Sequence, residues 1–370
     1  MAILQTALPW VLGACTLAVV GATLLPLWRN PHWLVRGFDF PRMQIAILAL
    51  ALLLLQLVFL DLERPGTWVW MALAGGALVG QAWWILPYTP LWPKEVKPAL
   101  NPDPAHTLTI LTANVLTPNR RADALIALVV KHQPDVLVTL ESDQWWQDQL
   151  AELETRMPYT IKCPLDNLYG MHVYSRLPLR ESECRYLVQD KVPSMHALVE
   201  LHSGDRVRMH FLHPAPPSPT ENPESAERDA ELVIVGRSVA DTDEPVIVTG
   251  DLNDVAWSPT TRLFRKVSGL LDPRVGRGLR STFHAQYPLM RWPLDHLFHS
   301  EHFTLIAIQR LPDIGSDHFP LLTRVLFAPV RGRDQQPLPA EQGDQEWASE
   351  LARDQGASKS DVPAPDPSEH

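Results

Sequence analysis

The sequence predicts a mixed α/β (α+β) domain, sheets packed inside a coat of helices, preceded by three transmembrane helices. Long apolar runs crowd the first ~90 residues and are almost missing from the last ~40. Between these ends, short β-branched runs alternate with amphipathic stretches, and several strands follow one another with no helix between them. That mixture does not suit a purely parallel doubly wound sheet. The most informative stretch is Pro245 to Asp254: Val246, Ile247 and Val248 read as a doubly buried strand, Gly250 ends it, and Asp251 and Asn253 emerge together.

The chain divides into a membrane region (1–90), a linker (91–106), a folded domain (107–328) and a tail (329–370). The apolar runs at about 8–28, 44–61 and 68–88 each approach the ~20 residues that cross a hydrocarbon core. Trp10, Trp28, Trp83, Trp84 and Trp92 lie near their ends, where indole rings favour the headgroup zone. No Lys or Arg precedes the first run, which argues against a signal peptide, and no polar face marks these helices as core elements. An integral protein of the cell (inner) membrane is expected. Arg29, Arg36 and Arg42 in the first connection, and Lys94 and Lys97 after the third run, place the folded domain in the cytoplasm by the positive-inside rule.

The proline-rich linker reads as a semi-extended stalk. Beyond it the pattern gives strands at 108–113 and 136–140, helices at 122–132 and 145–156, and strands at 171–174, 195–201 and 207–212. A helix at about 224–239 precedes the Val246 strand, and Ser258-Pro259 opens another as N-cap and first helical residue. Strands at 295–299, 303–309 and 321–327 close the domain, and Pro, Gln, Asp, Glu and Ser beyond Pro329 predict a disordered tail. The net charge of -10 argues against a broad nucleic-acid-binding face. The three cysteines have no metal-like or disulfide-like spacing.

Polar residues close these strands: Asn114, Glu141, His213, Asp251 with Asn253, Asp295, and Asp317 with His318. Each alone reads as a turn or cap residue. Together, several carboxylates and an amide form an oxygen-rich site of the kind Mg²⁺ or Mn²⁺ prefers, and a nearby histidine moves protons near neutral pH.

With these residues in order, the chain from about Thr107 to Phe327 resembles the endonuclease/exonuclease/phosphatase superfamily, also called DNase I-like. The motifs are Thr-Ala-Asn114-Val, Leu-Glu141-Ser, Tyr174-Ser-Arg-Leu-Pro, Leu-His213-Pro, Gly-Asp251-Leu-Asn253, Leu-Asp295-His-Leu-Phe and Ser-Asp317-His318-Phe-Pro. The resemblance implies a four-layer sandwich of two packed sheets with the site at one rim. It implies Glu141 as the main metal ligand, with Asn114 and Asp317 close to the metal. His318 becomes general base or phosphate contact, oriented by Asp295; Asp251 positions water; Asn253 holds a phosphate oxygen; His213 contacts phosphate or assists the leaving group. Leu116 stands where some nuclease members carry a further acidic ligand. The resulting expectation is a membrane-anchored, Mg²⁺- or Mn²⁺-dependent phosphoester hydrolase whose partners are a small or lipid-linked phosphoester and the bilayer, with no protein partner inferred. A nuclease using the basic stretch Arg262, Arg265, Lys266, Arg274, Arg277 and Arg280 is the alternative, and a catalytically silent membrane scaffold is the second.

Overall fold

The structure is a computed structural model that describes residues 2–240 and 242–364. It begins with α1 (Ala2–Leu24), α2 (Trp33–Arg36), α3 (Arg42–Phe59) and α4 (Pro65–Ile85). Three segments, Ala7–Leu27, Arg42–Phe59 and Pro65–Tyr88, are long and apolar enough to cross a membrane. Small residues let these helices approach closely: Ala49, Ala74 and Ala77 are buried where α1, α3 and α4 meet. Gln56 donates to Thr16 Oγ1 at 2.7 Å and Gln81 to Thr23 Oγ1 at 3.1 Å, so the buried amides find partners inside the bundle. Trp10, Leu48, Val58 and Trp83 face outward.

The remainder runs β1 (Thr107–Asn114), α5 (Ala122–His132), β2 (Val136–Leu140), α6 (Gln144–Leu150), β3 (Tyr159–Cys163), β4 (Met171–Ser175), β5 (Leu179–Arg185), β6 (Ser194–Glu200), β7 (Arg206–Leu212), α7 (Ala226–Val239), β8 (Val246–Asp251), α8 (Pro259–Ser268), β9 (Asp295–His299), β10 (Phe303–Arg310) and β11 (Leu321–Phe327), then α9 (Pro329–Gly332) and α10 (Gln342–Asp354). One sheet has the order β10-β11-β1-β2-β4-β3 and the other β5-β6-β7-β8-β9. Each is mixed. β1 runs parallel to β2, and β7 to β8, while the other pairs are antiparallel.

The sheets face each other across a core of Ile110, Val136, Val138, Met195, Met209 and Ile247, among others. β2 and β8 are buried along their whole length because helices cover their outer faces: α5 and α6 on one sheet, α7, α8 and α10 on the other. The layers are therefore helix, sheet, sheet, helix, as expected. At one rim Thr112 of β1 and Thr249 of β8 share a hydrogen bond of 3.1 Å, which fixes the ends of the two central strands against each other.

The N-terminal helical region is docked onto this sandwich. Trp33 N donates to Pro223 O at 2.8 Å, Trp257 Nε1 to Asp39 O at 2.7 Å, and Tyr88 Oη to Ala256 O at 2.6 Å. Asp39 pairs with Arg36 and Arg42, and Glu95 pairs with Arg265, all buried. Two of the three arginines counted for orientation in the first connection are thus structural.

Three sequence expectations need correction. The linker is extended but no stalk: Val96 is wholly buried, and Ala99 N and Leu305 O, with Leu305 N and Lys97 O, pair it to the edge of β10. Its prolines hold an extended path that the exposed sheet edge then captures. The tail expected to be disordered contains α10, opened by a capping box of Glu341 and Asp344 and packed on α7 and α8 through Ala348 and Ala352. Four apolar residues at helical spacing, Trp347, Ala348, Leu351 and Ala352, suffice for one buried face in a polar context; residues 365–370 of that expectation lie outside the described chain. Third, β3 and β5 are absent from the sequence reading because both are edge strands with charges interleaved.

Candidate active site

The site is built at the Thr112–Thr249 rim, where β1, β2 and β8 end and β9 begins. Gly250 is in a left-handed-side backbone conformation (φ 149), and a Cβ there would lie 1.9 Å from Leu212 O of β7. The glycine therefore serves close strand pairing, and β8 continues through Asp251 rather than ending at Gly250. Asn253 (φ 51) and Glu141 (φ 56) are non-glycine residues in the left-handed region, a conformation that persists only where neighbours enforce it. For Glu141 those neighbours are Thr117, whose hydroxyl donates to Glu141 O at 2.8 Å, and Ser142, bonded to Gly170 O through its N–H and to His172 Nδ1 at 2.6 Å.

The side chains converge. Asn114 Nδ2 donates to Glu141 Oε1 at 2.7 Å and lies 3.2 Å from Asp251 Oδ2. His318 Nδ1 is 2.8 Å from Asp295 Oδ2, and its Nε2 is 3.4 Å from Asp251 Oδ2. Burial opposes charge on this imidazole, but the flanking Asp251 and Asp295 outweigh it and lift the pKa to about 10. His318 is thus an imidazolium bridging two carboxylates. Burial pushes Asp251 upward, countered chiefly by the His318 charge. Burial likewise pushes Glu141 up to about 8.

The other expected residues hold different positions. Asp317 receives the Ser316 hydroxyl at 3.3 Å and is near enough for its charge to act on Glu141 and His318. His213 is buried beside Tyr169, ring centroids 5.5 Å apart, and burial lowers its pKa to about 4, so it is neutral. Its Nδ1 has no partner. Asn253 donates its amide to Pro214 O at 3.0 Å and its N–H to Asp251 Oδ1 at 2.9 Å, so it ties the His213 loop to the rim.

The residues fit a divalent cation. Among the described residues Glu141 Oε2 and Asp295 Oδ1 are buried without hydrogen-bond partners, which is costly for carboxylates unless a cation is adjacent. Asp251, Asp295 and His318 also offer ligand atoms within 4.8 Å of one another. In that trio, however, the histidine already fills the space between the carboxylates, so the free oxygen of Glu141 is the more open position. Leu116, where a further acid would stand, gives its N–H to Asn114 Oδ1 at 3.1 Å.

Sequence reasoning missed the supports. Arg274 grips Asp272 through Nε and Nη2, both at 2.9 Å, and reaches Asp295 O at 3.2 Å, which fixes the start of β9. Thr282 Oγ1 accepts from Asp295 N at 3.2 Å, and the Phe283 ring lies 4.9 Å from His318. These are second partners of site residues, and nothing in their local sequence sets them apart. The expected basic stretch is largely consumed: Arg265 pairs with Glu95, Arg274 with Asp272, Lys266 with Asp344, and Arg262 stacks over Trp84.

Two facing mixed sheets under helices, with a carboxylate-rich, histidine-bearing rim, define a DNase I-like hydrolase fold. The family model described as "Endonuclease/Exonuclease/phosphatase family" matches residues 111–318, more than half of the chain, and the protein belongs to that family. A solved structure of TDP2 from D. rerio, complexed with single strand DNA product, is 19% identical with a TM-score of 0.50, covering 59% of this chain and 98% of that one. The human Nocturnin catalytic domain with bound sulfate anion is 17% identical, TM-score 0.48, covering 60% and 94%. A family member from Beutenbergia cavernae is 20% identical, TM-score 0.48, covering 60% and 72%. No curated protein matches the chain.

Proposed function

We propose that the protein is a membrane-anchored, divalent-metal-dependent phosphoester hydrolase, a phosphodiesterase or phosphatase whose catalytic domain lies on the cytoplasmic face. The observation that carries this reading is the bridging of Asp251 and Asp295 by His318 beside the unpartnered oxygen of Glu141. A silent scaffold would have no use for uncompensated buried carboxylates.

Glu141 is the main ligand for Mg²⁺ or Mn²⁺, assisted by Asn114 and Asp317. The ion, when bound, neutralises charge that accumulates on the non-bridging oxygens of the phosphoester. His318, held protonated and aimed by Asp295, donates to one of those oxygens. It already carries its proton, so general base falls to Asp251, whose burial raises its proton affinity. Asp251 orients a water and takes its proton as the water oxygen bonds phosphorus and the leaving oxygen departs. His213, neutral with Nδ1 free, adds a hydrogen bond to the phosphate, and Asn253 holds the His213 loop in place.

The test is turnover of a panel of phosphoesters, nucleic acids and phospholipids by the full-length protein, with Mg²⁺ and with chelator. Metal-dependent release of phosphate or alcohol from one class supports the reading. Binding of any class with no turnover under either condition rejects it.

A further inference from the structure

A cavity of about 540 Å³ lies between the first turns of α3 and the segment 279–292. One wall is Met43, Gln44 and Ile47 of α3, and another carries Arg280, Arg291 and Arg310. Among the described residues no carboxylate lines it. Among the described residues Trp292 Nε1 is a buried donor with no acceptor and Gln44 Oε1 a buried acceptor with no donor, and Trp292 itself is only 9% exposed. Arg291 gives Nε to His284 O and Nη2 to Ala285 O, and Arg310 gives Nη1 to Ser281 O, so backbone carbonyls hold these two guanidiniums in place with further N–H groups left over; with Arg280 they make a cationic wall suited to an anionic oxygen.

Its position points to the source of that anion. α3 is long enough to span a membrane and starts at Arg42, so its first turn stands at headgroup depth. Gln44 Nε2 donates to Leu289 O at 2.7 Å, which holds the 279–292 segment at the same level. There Leu289 is 85% exposed and Tyr287 and Met290 are also exposed, an apolar tip suited to the acyl boundary, with arginines behind it. The same segment leads to the site. Ser281 lines the cavity, and Phe283, two residues or at most about 7 Å of chain further, packs on the His318 ring.

We propose that this cavity binds the headgroup phosphate of an acidic phospholipid drawn from the leaflet around α3, and that such a lipid is the phosphoester presented at His318. The first half stands on the cavity; the second rests on the hydrolase reading above.

The experiment uses the full-length protein in phosphatidylcholine vesicles containing photo-crosslinkable phosphatidylglycerol. Crosslinks should map to 279–292 and the first turns of α3, and excess phosphatidylglycerol should compete where inorganic phosphate does not. Arg280→Ala and Trp292→Phe, which keeps an aromatic ring but removes the donor, should each lower crosslinking about tenfold. Crosslinks spread evenly over α1, α3 and α4, or unchanged in both variants, overturn the lipid site. Headgroup release is followed in parallel with cleavage of bis(p-nitrophenyl) phosphate. Cleavage of the soluble ester without lipid capture overturns the cavity and spares the hydrolase. Capture with no ester cleaved at all overturns the hydrolase and spares the lipid site. Capture with only the soluble ester cleaved overturns the lipid as substrate.

Discussion

Two buried polar clusters, one where the N-terminal helices dock and one at the rim, are balanced in opposite ways. Where the N-terminal helical region docks, these carboxylates each have a guanidinium: Asp39 has Arg36 and Arg42, Glu95 has Arg265, and Asp254 has Arg228. At the rim, Asp251 and Asp295 share one imidazolium and Glu141 has only the Asn114 amide, while Glu141 Oε2 and Asp295 Oδ1 are buried with no partner among the described residues. Charge balance marks the first cluster as architecture and its lack marks the second as chemistry. A cation bound at the rim would offset that deficit.

The comparison breaks most severely if the rim is dispensable. His318→Ala and Asp251→Asn should each cut turnover of bis(p-nitrophenyl) phosphate by about 10²–10⁴-fold while leaving the circular dichroism spectrum intact. Parent-like activity in either variant removes the assigned roles. In the docking cluster the outcome should be reversed. Arg265→Ala leaves the buried Glu95 without its guanidinium and removes a donor from the Tyr88 hydroxyl, which keeps Ala256 O; it should cost about 3–5 kcal/mol of stability, read as a lower melting temperature in detergent. A melting point equal to the parent's would show that the docking seen between Tyr88, Glu95 and α8 contributes nothing.

A smaller effect sharpens the contrast between charged and neutral histidines. Burial lowers His172 and His299 to about 4 and His196 to about 3, from 6.5. A histidine with a lowered folded pKa binds fewer protons when folded than when unfolded. Its contribution is therefore complete above pH 6.5 and is lost as pH falls through its folded value. Thermal stability should thus fall between pH 6.5 and about 4, and His196→Gln should flatten that slope; identical slopes in parent and variant would contradict the assignment.

How much of this was legible in the sequence follows from what each residue needs. The strands β1, β2 and β8 announce themselves because burial on both faces demands uncharged runs rich in β-branched and aliphatic residues, and Asn114, Glu141 and Asp251 stand at their ends, with Asp295 opening β9. His318 and Asp317 were legible through their motif. The balance between them was not, since the proton on His318 depends on Asp251 and Asp295, which lie 67 and 23 residues away (318 − 251 and 318 − 295). The docking arginines were equally hidden: Arg265 and Arg274 read as a basic surface until Glu95 and Asp272 are placed beside them. The linker and α10 were misread for a common reason. Their polar composition describes most of their side chains correctly, but a few apolar residues, Val96 in one and Ala348 with Ala352 in the other, decide the packing.

The most direct test of the rim as a cation site is manganese binding followed by electron paramagnetic resonance, comparing the parent with Glu141→Gln. Glutamine keeps the shape and can still pair with Asn114, but it carries no charge for an ion to neutralise. The parent should bind Mn²⁺ in competition with Mg²⁺, and Glu141→Gln should lose that signal while its metal-free melting temperature rises, since an uncompensated carboxyl has been removed. Equal Mn²⁺ binding by both proteins would contradict the account.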